Sequence, residues 1–211
     1  MAAVYILNCK DCEPYLISLQ NRISPPRQNR AKKMRRRESL LHCIGAEICL
    51  SVALNLPLPL SLKTESGGKP FIENAPQFNL SHSGDFVVCA VDDKPIGVDI
   101  ERTSRMKGSI FNRIASPLEK EKAAATQDGE LLEYYCSVWT KKESILKLTG
   151  EGIRKKLSTV CTESEGCYRT EKLGDYVYSV CLCENRQLET HFITEEILKQ
   201  KFNIYRRKKY V

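Results

Sequence analysis

The amino-acid sequence predicts an α+β fold. Four apolar residues, Leu40, Ile44, Ile48 and Val52, recur every four positions, which is the pattern of a helix with one buried side. Short apolar runs between turn residues, such as residues 86–91, are typical of β-strands. Along the 211 residues the patterns follow the order strand, helix, strands, helices, strands, and this order favours an α+β arrangement.

The first part of the chain begins with a strand pattern at residues 4–7. Ser24, Pro25 and Pro26 then mark a helix entry, because serine can cap a helix and proline is tolerated in its first turn. The basic segment that follows merges into the buried helix pattern, which ends before Pro57. Three further strands are predicted at residues 78–80, 86–91 and 96–101.

The second part of the chain is predicted to be helical before it returns to strands. A helical region is expected over residues 117–149, with a break at 127–129 and a stop at Gly150. Residues 157–183 carry strand patterns, and Thr194 is placed to cap a short last helix.

Composition is that of a soluble globular protein, with 42% hydrophobic and 28% charged residues. No apolar stretch is long enough to span a bilayer, and the N-terminus lacks a secretory signal pattern, so we expect a cytoplasmic location. Ten cysteines are present, including a Cys9–Cys12 and a Cys181–Cys183 pair, but no partner at zinc-site spacing follows. Reduced, mostly buried thiols are therefore expected.

The net charge of +7 is concentrated in two clusters. One lies between Arg27 and Arg37 and the other near the C-terminus. Such clusters attract phosphates, nucleic acid or acidic protein surfaces. A nucleic-acid-binding module is one alternative, although no known binding motif accompanies the basic run. A cysteine-based metal or interaction module is the other.

Carboxylates in two segments of the chain suggest a metal-binding site. Asp99 and Glu101, in IGVDIE, lie two apart on a predicted strand and point to one face. Trp139, Glu143 and Lys147 are each four apart on a predicted helix and share one side. Two carboxylates from a strand and one from a helix would make an all-oxygen site suited to Mg²⁺. The plainer alternative is a solvated strand face and an ordinary helical ion pair.

Four motifs together resemble a known family. GGKP (residues 67–70), FNLSHSGDFVVCAV (78–91), PIGVDIE (95–101) and WTKKESILKLTGEG (139–152) occur in this order. The set is similar to the signature of the 4′-phosphopantetheinyl transferases, in their longer surfactin-type branch. The resemblance implies two pseudo-symmetric α+β halves, residues 1–101 and 102–211, with the active site in the cleft between them.

The resemblance also implies a reaction: the phosphopantetheine arm of coenzyme A moves to a serine of an apo acyl or peptidyl carrier protein, which leaves adenosine 3′,5′-bisphosphate. Asp99, Glu101 and Glu143 match the family's Mg²⁺ ligands, and Mn²⁺ is a possible substitute. Lys147 matches a lysine that contacts phosphate or helps to move the serine proton. Glu119 matches a further candidate base, so Glu119, Glu143 and Lys147 all remain open for that role.

Coenzyme A contacts are implied for a second group of residues. Ser81 and His82 resemble residues that touch its phosphates, with His82 also a candidate for the catalytic group, and Lys69 and Pro70 resemble residues near the nucleotide. The 3′-phosphate is expected at Arg27 and Arg30, with Lys32 or Lys33 as alternatives. Leu50, and Leu41 or His42, stand where the family often has arginine, which departs from its nucleotide pocket.

The carrier protein is expected to dock on residues 106–114, where Met106, Ile110 and Phe111 alternate with cations. The alternative is that Ile110 and Phe111 pack into the core. The resembled branch implies a monomer that binds neither nucleic acid nor a membrane, and its substrates are carriers of peptide synthetases, polyketide synthases or fatty acid synthases.

Overall fold

The computed structural model describes residues 1–65, 68–150, 157–160, 162 and 167–205. Helices and strands are both abundant in these ranges, so the predicted α+β class is confirmed. The strands are β1 (Ala2–Asn8), β2 (Lys63–Thr64), β3 (Pro70–Phe71), β4 (Gln77–Ser83), β5 (Phe86–Asp92), β6 (Ile96–Arg102), β7 (Cys167–Leu173), β8 (Tyr176–Leu182) and β9 (Leu188–Ile193). The helices are α1 (Leu16–Gln20), α2 (Pro25–Lys32), α3 (Arg37–Ala53), α4 (Gly108–Ile114), α5 (Pro117–Ala124), α6 (Leu131–Thr149) and α7 (Glu195–Phe202).

Two sheets form the framework. The first has the strand order β4-β5-β1-β9, in which β1 is antiparallel to β5 and parallel to β9. The second is antiparallel, with the order β6-β8-β7. Strand β6 therefore pairs with the later part of the chain, while β9 returns to the first sheet. The division into two pseudo-symmetric halves, 1–101 and 102–211, stays a prediction.

The first sheet is the middle layer and is packed on both faces. Successive residues of a strand point to opposite faces, and β1 follows this rule. Leu7 belongs to the apolar cluster that contains Ile48 of α3. Val4 and Ile6 belong to a second cluster, which contains Ile100 of β6. The first sheet thus lies between α3 and the second sheet.

The predicted basic helix is in fact two helices, with residues 33–36 between α2 and α3. Ser24 lies at the N-cap of α2 as predicted, but its hydroxyl does not cap the helix and instead donates to Glu47 Oε2 at 2.7 Å. The predicted stripe of α3 is confirmed at its centre, where Ile44 and Ile48 are completely buried.

The two sheets adjoin at β4 and β6 along a seam of polar side chains. Every second residue of β4 accepts a hydrogen bond from a backbone N–H of β6. These bonds run from Val98 N to Asn79 Oδ1 (3.2 Å), from Ile100 N to Ser81 Oγ (3.4 Å) and from Arg102 N to Ser83 Oγ (3.2 Å). Side chains therefore satisfy the edge of β6 that no strand pairs with among the described residues.

Helix α6 packs very closely on β6 at Gly97. A Cβ atom at this position would lie 1.9 Å from the carbonyl oxygen of Ser144 and 2.6 Å from the backbone nitrogen of Leu148. Only glycine permits this approach. At its end the helix is closed by Gly150, which has a φ of 73° and donates to the carbonyl of Leu146 at 3.0 Å. The stop predicted at Gly150 is confirmed.

The later strands agree with the sequence in part. Strands β7 and β8 lie in the region where strand patterns were expected, but Leu157–Thr159 is a 3-10 turn and β9 was not predicted. Thr194 caps α7 as predicted, because its hydroxyl accepts from the backbone N–H of Ile197. The nine cysteines among the described residues are free. In the same residues no helix is long and apolar enough to cross a membrane.

Gly97→Ala is expected to lower the free energy of unfolding by about 1–3 kcal/mol, because the new methyl group overlaps backbone atoms of α6 and the helix must move away from β6. Gly129→Ala is the matched control, since nothing lies within 4 Å of a Cβ atom there. Urea unfolding followed by circular dichroism measures both. Wild-type stability of Gly97→Ala would contradict the close packing.

Candidate active site

Two carboxylates project from β6 toward the seam between the sheets. Ser81 Oγ donates to Asp99 Oδ1 at 2.7 Å, and Ser83 Oγ donates to Glu101 Oε1. Asp99 is only 6% exposed, so its charge lies in a largely dry environment. The predicted shared face of Asp99 and Glu101 is thus present. Ser83 was missed by the sequence analysis, although its spacing of two from Ser81 on a strand already places both on one face.

Helix α6 brings a lysine to this face. Lys147 Nζ lies 2.7 Å from Asp99 Oδ1, 2.9 Å from Ser81 Oγ and 3.1 Å from the carbonyl oxygen of Val98. An ammonium group has three N–H donors, and these three contacts use all of them. Lys147 is therefore held as a charged group that partly balances the carboxylates.

Glu143 lies one helical turn before Lys147. Burial raises the pKa of its carboxyl group, the negative charge of Asp99 raises it further, and the positive charge of Lys147 opposes both effects. None of the described residues donates a hydrogen bond to this carboxylate. Glu143 thus has a raised pKa and accepts no hydrogen bond from the described residues.

The carboxylates of this site are ligands of the type that a hard divalent cation prefers. Asp99, Glu101 and Glu143 carry carboxylate oxygens, which are the ligands that Mg²⁺ prefers. Oδ2 of Asp99 and Oε2 of Glu101 accept no hydrogen bond from the described residues. However, no three His, Cys, Asp or Glu side chains in the described ranges are gathered closely enough to hold a metal ion. The three metal assignments remain predictions.

Glu119 has a structural environment that argues against the base role expected for it. Its carboxylate is completely buried, contacts Lys142 Nζ at 2.7 Å, and accepts from the backbone N–H of Ser116 (2.7 Å) and the hydroxyl of Thr162 (2.8 Å). Burial alone would raise the pKa of Glu119, but these bonds outweigh it and the pKa is lowered. None of these contacts involves the carboxylates of β6, so the structure does not bring Glu119 to Asp99, Glu101 or Glu143.

Lys142, which the sequence analysis missed, is the cation that holds this part of the chain. It is completely buried, and its ammonium group donates to the carbonyl oxygens of Ile114 (2.8 Å), Leu157 (3.1 Å) and Val160 (2.9 Å). Lys147 is four positions after Glu143, but Lys142 directly precedes Glu143 and points into a different part of the core. Nothing in the helix spacing distinguishes it from an exposed lysine.

His82 stacks on a second histidine. The rings of His82 and His42 are 4.3 Å apart with an interplanar angle of 21°, and His42 Nε2 lies 2.7 Å from the carbonyl oxygen of Gly84. His82 keeps access to solvent, yet partial burial, with added repulsion from His42 and Lys147, lowers the pKa of His82 to about 4. The imidazole is therefore neutral at pH 7.

Arg27 and Arg30 line a cavity of about 650 Å³ beside α2. Pro70 also lines it, as expected, whereas Lys69 is half-buried beside it and Gly67 lies outside the described residues. A second cavity of about 700 Å³, between Ile17 and Tyr205, includes none of the predicted site residues. The structure thus gathers two cations and Pro70 at one cavity, and the carboxylate group at the sheet seam.

The expected docking role of residues 106–114 is wrong for two of its three apolar residues. Met106 and Phe111 are 5% and 1% exposed, and the ring of Phe111 stacks on Tyr135 with centroids 4.0 Å apart. Phe111 belongs to the apolar cluster that also contains Val138 of α6, because α4 packs against α6 here. Ile110 is half-buried, and the exposed side chains of this segment are polar.

Comparison with known proteins gives consistent matches. Residues 95–193 match the family model described as the 4′-phosphopantetheinyl transferase superfamily. The 4′-phosphopantetheinyl transferase psf-1 of Bacillus pumilus is 39% identical over 117 residues, which are 54% of this chain and 50% of the relative. The 4′-phosphopantetheinyl transferase Sfp of Bacillus subtilis is 30% identical over 144 residues, which are 65% of this chain and 64% of the relative. A further 4′-phosphopantetheinyl transferase of Bacillus subtilis is 38% identical over 105 residues, 49% of this chain and 47% of the relative. The chain thus matches about half to two thirds of the length of these relatives.

Glu119→Gln is expected to lower the free energy of unfolding at pH 7 by about 3–5 kcal/mol, because Lys142 would be left as a buried charge without its partner. Since the pKa of Glu119 is lowered in the folded state, this stabilisation is present above its ordinary value of 4.5 and is lost as the pH falls through the folded pKa. The difference from wild type should therefore shrink below that pH. Urea unfolding at several pH values is the measurement.

Glu121→Gln is the control for this substitution, because Glu121 lies on the same helix and is exposed. Loss of catalytic activity in Glu119→Gln without any loss of stability would contradict the structural role and restore Glu119 as a candidate base.

Proposed function

We propose that this chain is a member of the 4′-phosphopantetheinyl transferase superfamily, in its surfactin-type branch, and that it transfers the phosphopantetheine arm of coenzyme A to a serine of apo carrier proteins. The observation that carries the proposal is the contact of Lys147 on α6 with Asp99 on β6, which assembles the two signature motifs into one charged group. The products are the holo carrier protein and adenosine 3′,5′-bisphosphate.

The residues at the seam suit the charges of this reaction. The serine hydroxyl attacks the β-phosphorus of the coenzyme A diphosphate, a new O–P bond forms, and the bond to the leaving nucleotide phosphate breaks. Asp99, Glu101 and Glu143 would hold Mg²⁺ (or Mn²⁺ in its place), and the ion would supply charge stabilisation at the diphosphate. Lys147 provides a fixed positive charge at the same place.

Among the three candidate bases, Glu143 has the best local chemistry for accepting the serine proton. Lys147 donates all three of its N–H groups to protein acceptors, so it has no free lone pair in this state. Glu119 is bonded to Lys142 and Thr162. Glu143 accepts no hydrogen bond from the described residues, so an oxygen that does not hold the ion would be open to the serine proton.

The cavity beside α2 would hold the nucleotide end of coenzyme A. Arg27 and Arg30 offer guanidinium groups that suit the 3′-phosphate, and Pro70 lines the same cavity. Lys69 would lie near the nucleotide. Ser81 is bonded to Asp99, and His82 follows it on β4, so both are candidates for contacts with diphosphate oxygens. Ser81 already gives its one O–H donor to Asp99, so a diphosphate oxygen could accept a hydrogen bond from Ser81 only if the bond to Asp99 were released.

The partner is an acyl or peptidyl carrier protein. The net charge of +7 favours an acidic partner through long-range attraction. Action as a monomer in the cytoplasm, without nucleic acid or a membrane, belongs to the same proposal.

Intact mass spectrometry tests the proposed function. The protein is incubated with coenzyme A, Mg²⁺ and a panel of apo acyl and peptidyl carrier proteins, and a gain of one phosphopantetheine group is expected on at least one carrier. The same incubation with a carrier whose acceptor serine is replaced by alanine is the control. No mass gain on any carrier would overturn the proposal.

Asp99→Asn, Glu101→Gln and Glu143→Gln are each expected to lower the transfer rate roughly 100-fold or more, because each removes a carboxylate that would hold the ion. Glu133→Gln is the control, since Glu133 lies on the same helix as Glu143 but pairs with Lys172 at the surface. Transfer kinetics and Mn²⁺ binding by electron paramagnetic resonance are measured. Wild-type rates and Mn²⁺ affinity in all three folded variants would refute the metal assignment.

The Arg27→Ala/Arg30→Ala double variant is expected to bind coenzyme A more weakly, and to lose most of the wild-type preference for coenzyme A over dephospho-coenzyme A, because the charge-assisted partners of the 3′-phosphate are gone. Isothermal titration calorimetry in EDTA measures binding without turnover. An unchanged preference would move the phosphate to other cations, with Lys32→Ala and Lys33→Ala as the next variants.

A further inference from the structure

A single buried carboxylate organises the cavity beside α2. Glu47, in the middle of α3, is 0% exposed. Two segments of the chain contact it, the start of α2 and the stretch after α3. It accepts hydrogen bonds from Ser24 N (2.7 Å), Ser24 Oγ (2.7 Å) and Leu60 N (3.0 Å), and it forms an ion pair with Arg27 Nε (3.2 Å).

The two carboxylate oxygens of Glu47 have different partners. Oε1 accepts from the backbone N–H groups of Ser24 and Leu60, which lie at the start of α2 and in the segment after α3. Both residues line the cavity. Oε2 accepts from the hydroxyl of Ser24 and is paired with Arg27 Nε. One oxygen therefore joins the two cavity walls, and the other holds the arginine.

Arg27 is oriented by this pairing. Its Nε lies 3.2 Å from Glu47 Oε2 in an ion pair, and its Nη1 donates to the carbonyl oxygen of Cys43 at 3.0 Å. Its Nη2 donates to none of the described residues, and the side chain is 20% exposed. A guanidinium group has five N–H donors in a rigid fork, so those not bound to Glu47 and Cys43 remain for a ligand in the cavity.

The described lining of the cavity has Arg27 and Arg30 but no carboxylate. Glu47 lies beneath it and offsets the charge of Arg27, whereas Arg30 is exposed. The two arginines thus differ: Arg30 contributes net positive charge, and Arg27 contributes directed donors at a fixed position.

We infer that Glu47 is a positioning residue for recognition of a phosphate monoester in this cavity, acting through Arg27. The inference rests on the proposed function, in which that phosphate is the 3′-phosphate of coenzyme A. Glu47 determines specificity rather than general affinity, because it fixes the donors that only a ligand with the phosphate can use.

Glu47→Gln separates this role from a purely structural one. The amide oxygen can take the place of Oε1 and keep the backbone bonds of Ser24 and Leu60. The amide NH₂ group then takes the place of Oε2, where the Ser24 hydroxyl can turn to accept from it. Arg27 Nε is a donor and cannot reverse, so the substitution releases Arg27 while it preserves the cavity walls.

The experiment is calorimetric binding of coenzyme A and of dephospho-coenzyme A in EDTA. It compares the wild type, Glu47→Gln, Arg27→Ala and the Glu47→Gln/Arg27→Ala double variant. In Glu47→Gln we expect roughly tenfold weaker binding of coenzyme A with dephospho-coenzyme A changed by less than about twofold. The double variant should equal Arg27→Ala, because both substitutions remove one shared interaction. Glu196→Gln, an exposed carboxylate on α7, is the control.

Equal weakening of both ligands, tighter binding of coenzyme A, or additive effects in the double variant would each overturn the inference. If Glu47→Gln does not fold, Arg27→Lys gives the answer with Glu47 intact. Lysine keeps the charge but cannot hold the fork geometry, so loss of discrimination supports positioning and retained discrimination overturns it.

The same titration separates this inference from the proposed function. A wild type that binds neither ligand and transfers nothing would overturn both. A wild type that transfers phosphopantetheine and prefers coenzyme A, with the same preference in Glu47→Gln, would overturn only the role of Glu47.

Discussion

The close contact of α6 with β6 at Gly97 is the constraint on which the site depends. Because residue 97 has no side chain, the backbone of α6 lies almost against the strand, and Lys147 reaches Asp99 within 2.7 Å. A larger spacing would leave Asp99 as a nearly buried carboxylate without its cation, which is costly. The glycine at position 97 and the pairing of Asp99 with Lys147 therefore both depend on the position of α6.

Three nearly buried carboxylates share a physical logic. Asp99, Glu47 and Glu119 are each paired with a cation from another segment, namely Lys147, Arg27 and Lys142. Buried ion pairs contribute little net stability compared with apolar replacements, but breaking one is expensive. Each pair therefore acts mainly to define geometry, at the sheet seam, at the cavity wall and beneath the segment that follows α6.

The superfamily model covers only one of the two parts of the proposed site. The carboxylates of β6 and the residues of α6 lie inside residues 95–193, the region matched by the superfamily model. The arginine-lined cavity, Ser81 and His82 all precede residue 95. The seam joins these parts, because Ser81 of β4 is bonded at once to Asp99 and to Lys147.

Sequence alone determined the features that depend on local chain periodicity. The shared face of Asp99 and Glu101, the helix through Glu143 and Lys147, its stop at Gly150 and the cap at Thr194 all follow from spacing within a few residues. Tertiary structure decided what long-range packing controls: β9 returning to β1, the burial of Phe111, and the pairing of Glu119 with Lys142 and of Glu47 with Arg27. A buried and an exposed lysine look alike in a sequence. Which carboxylate each cation pairs with depends on many contacts between distant segments, so no local sequence pattern reveals it.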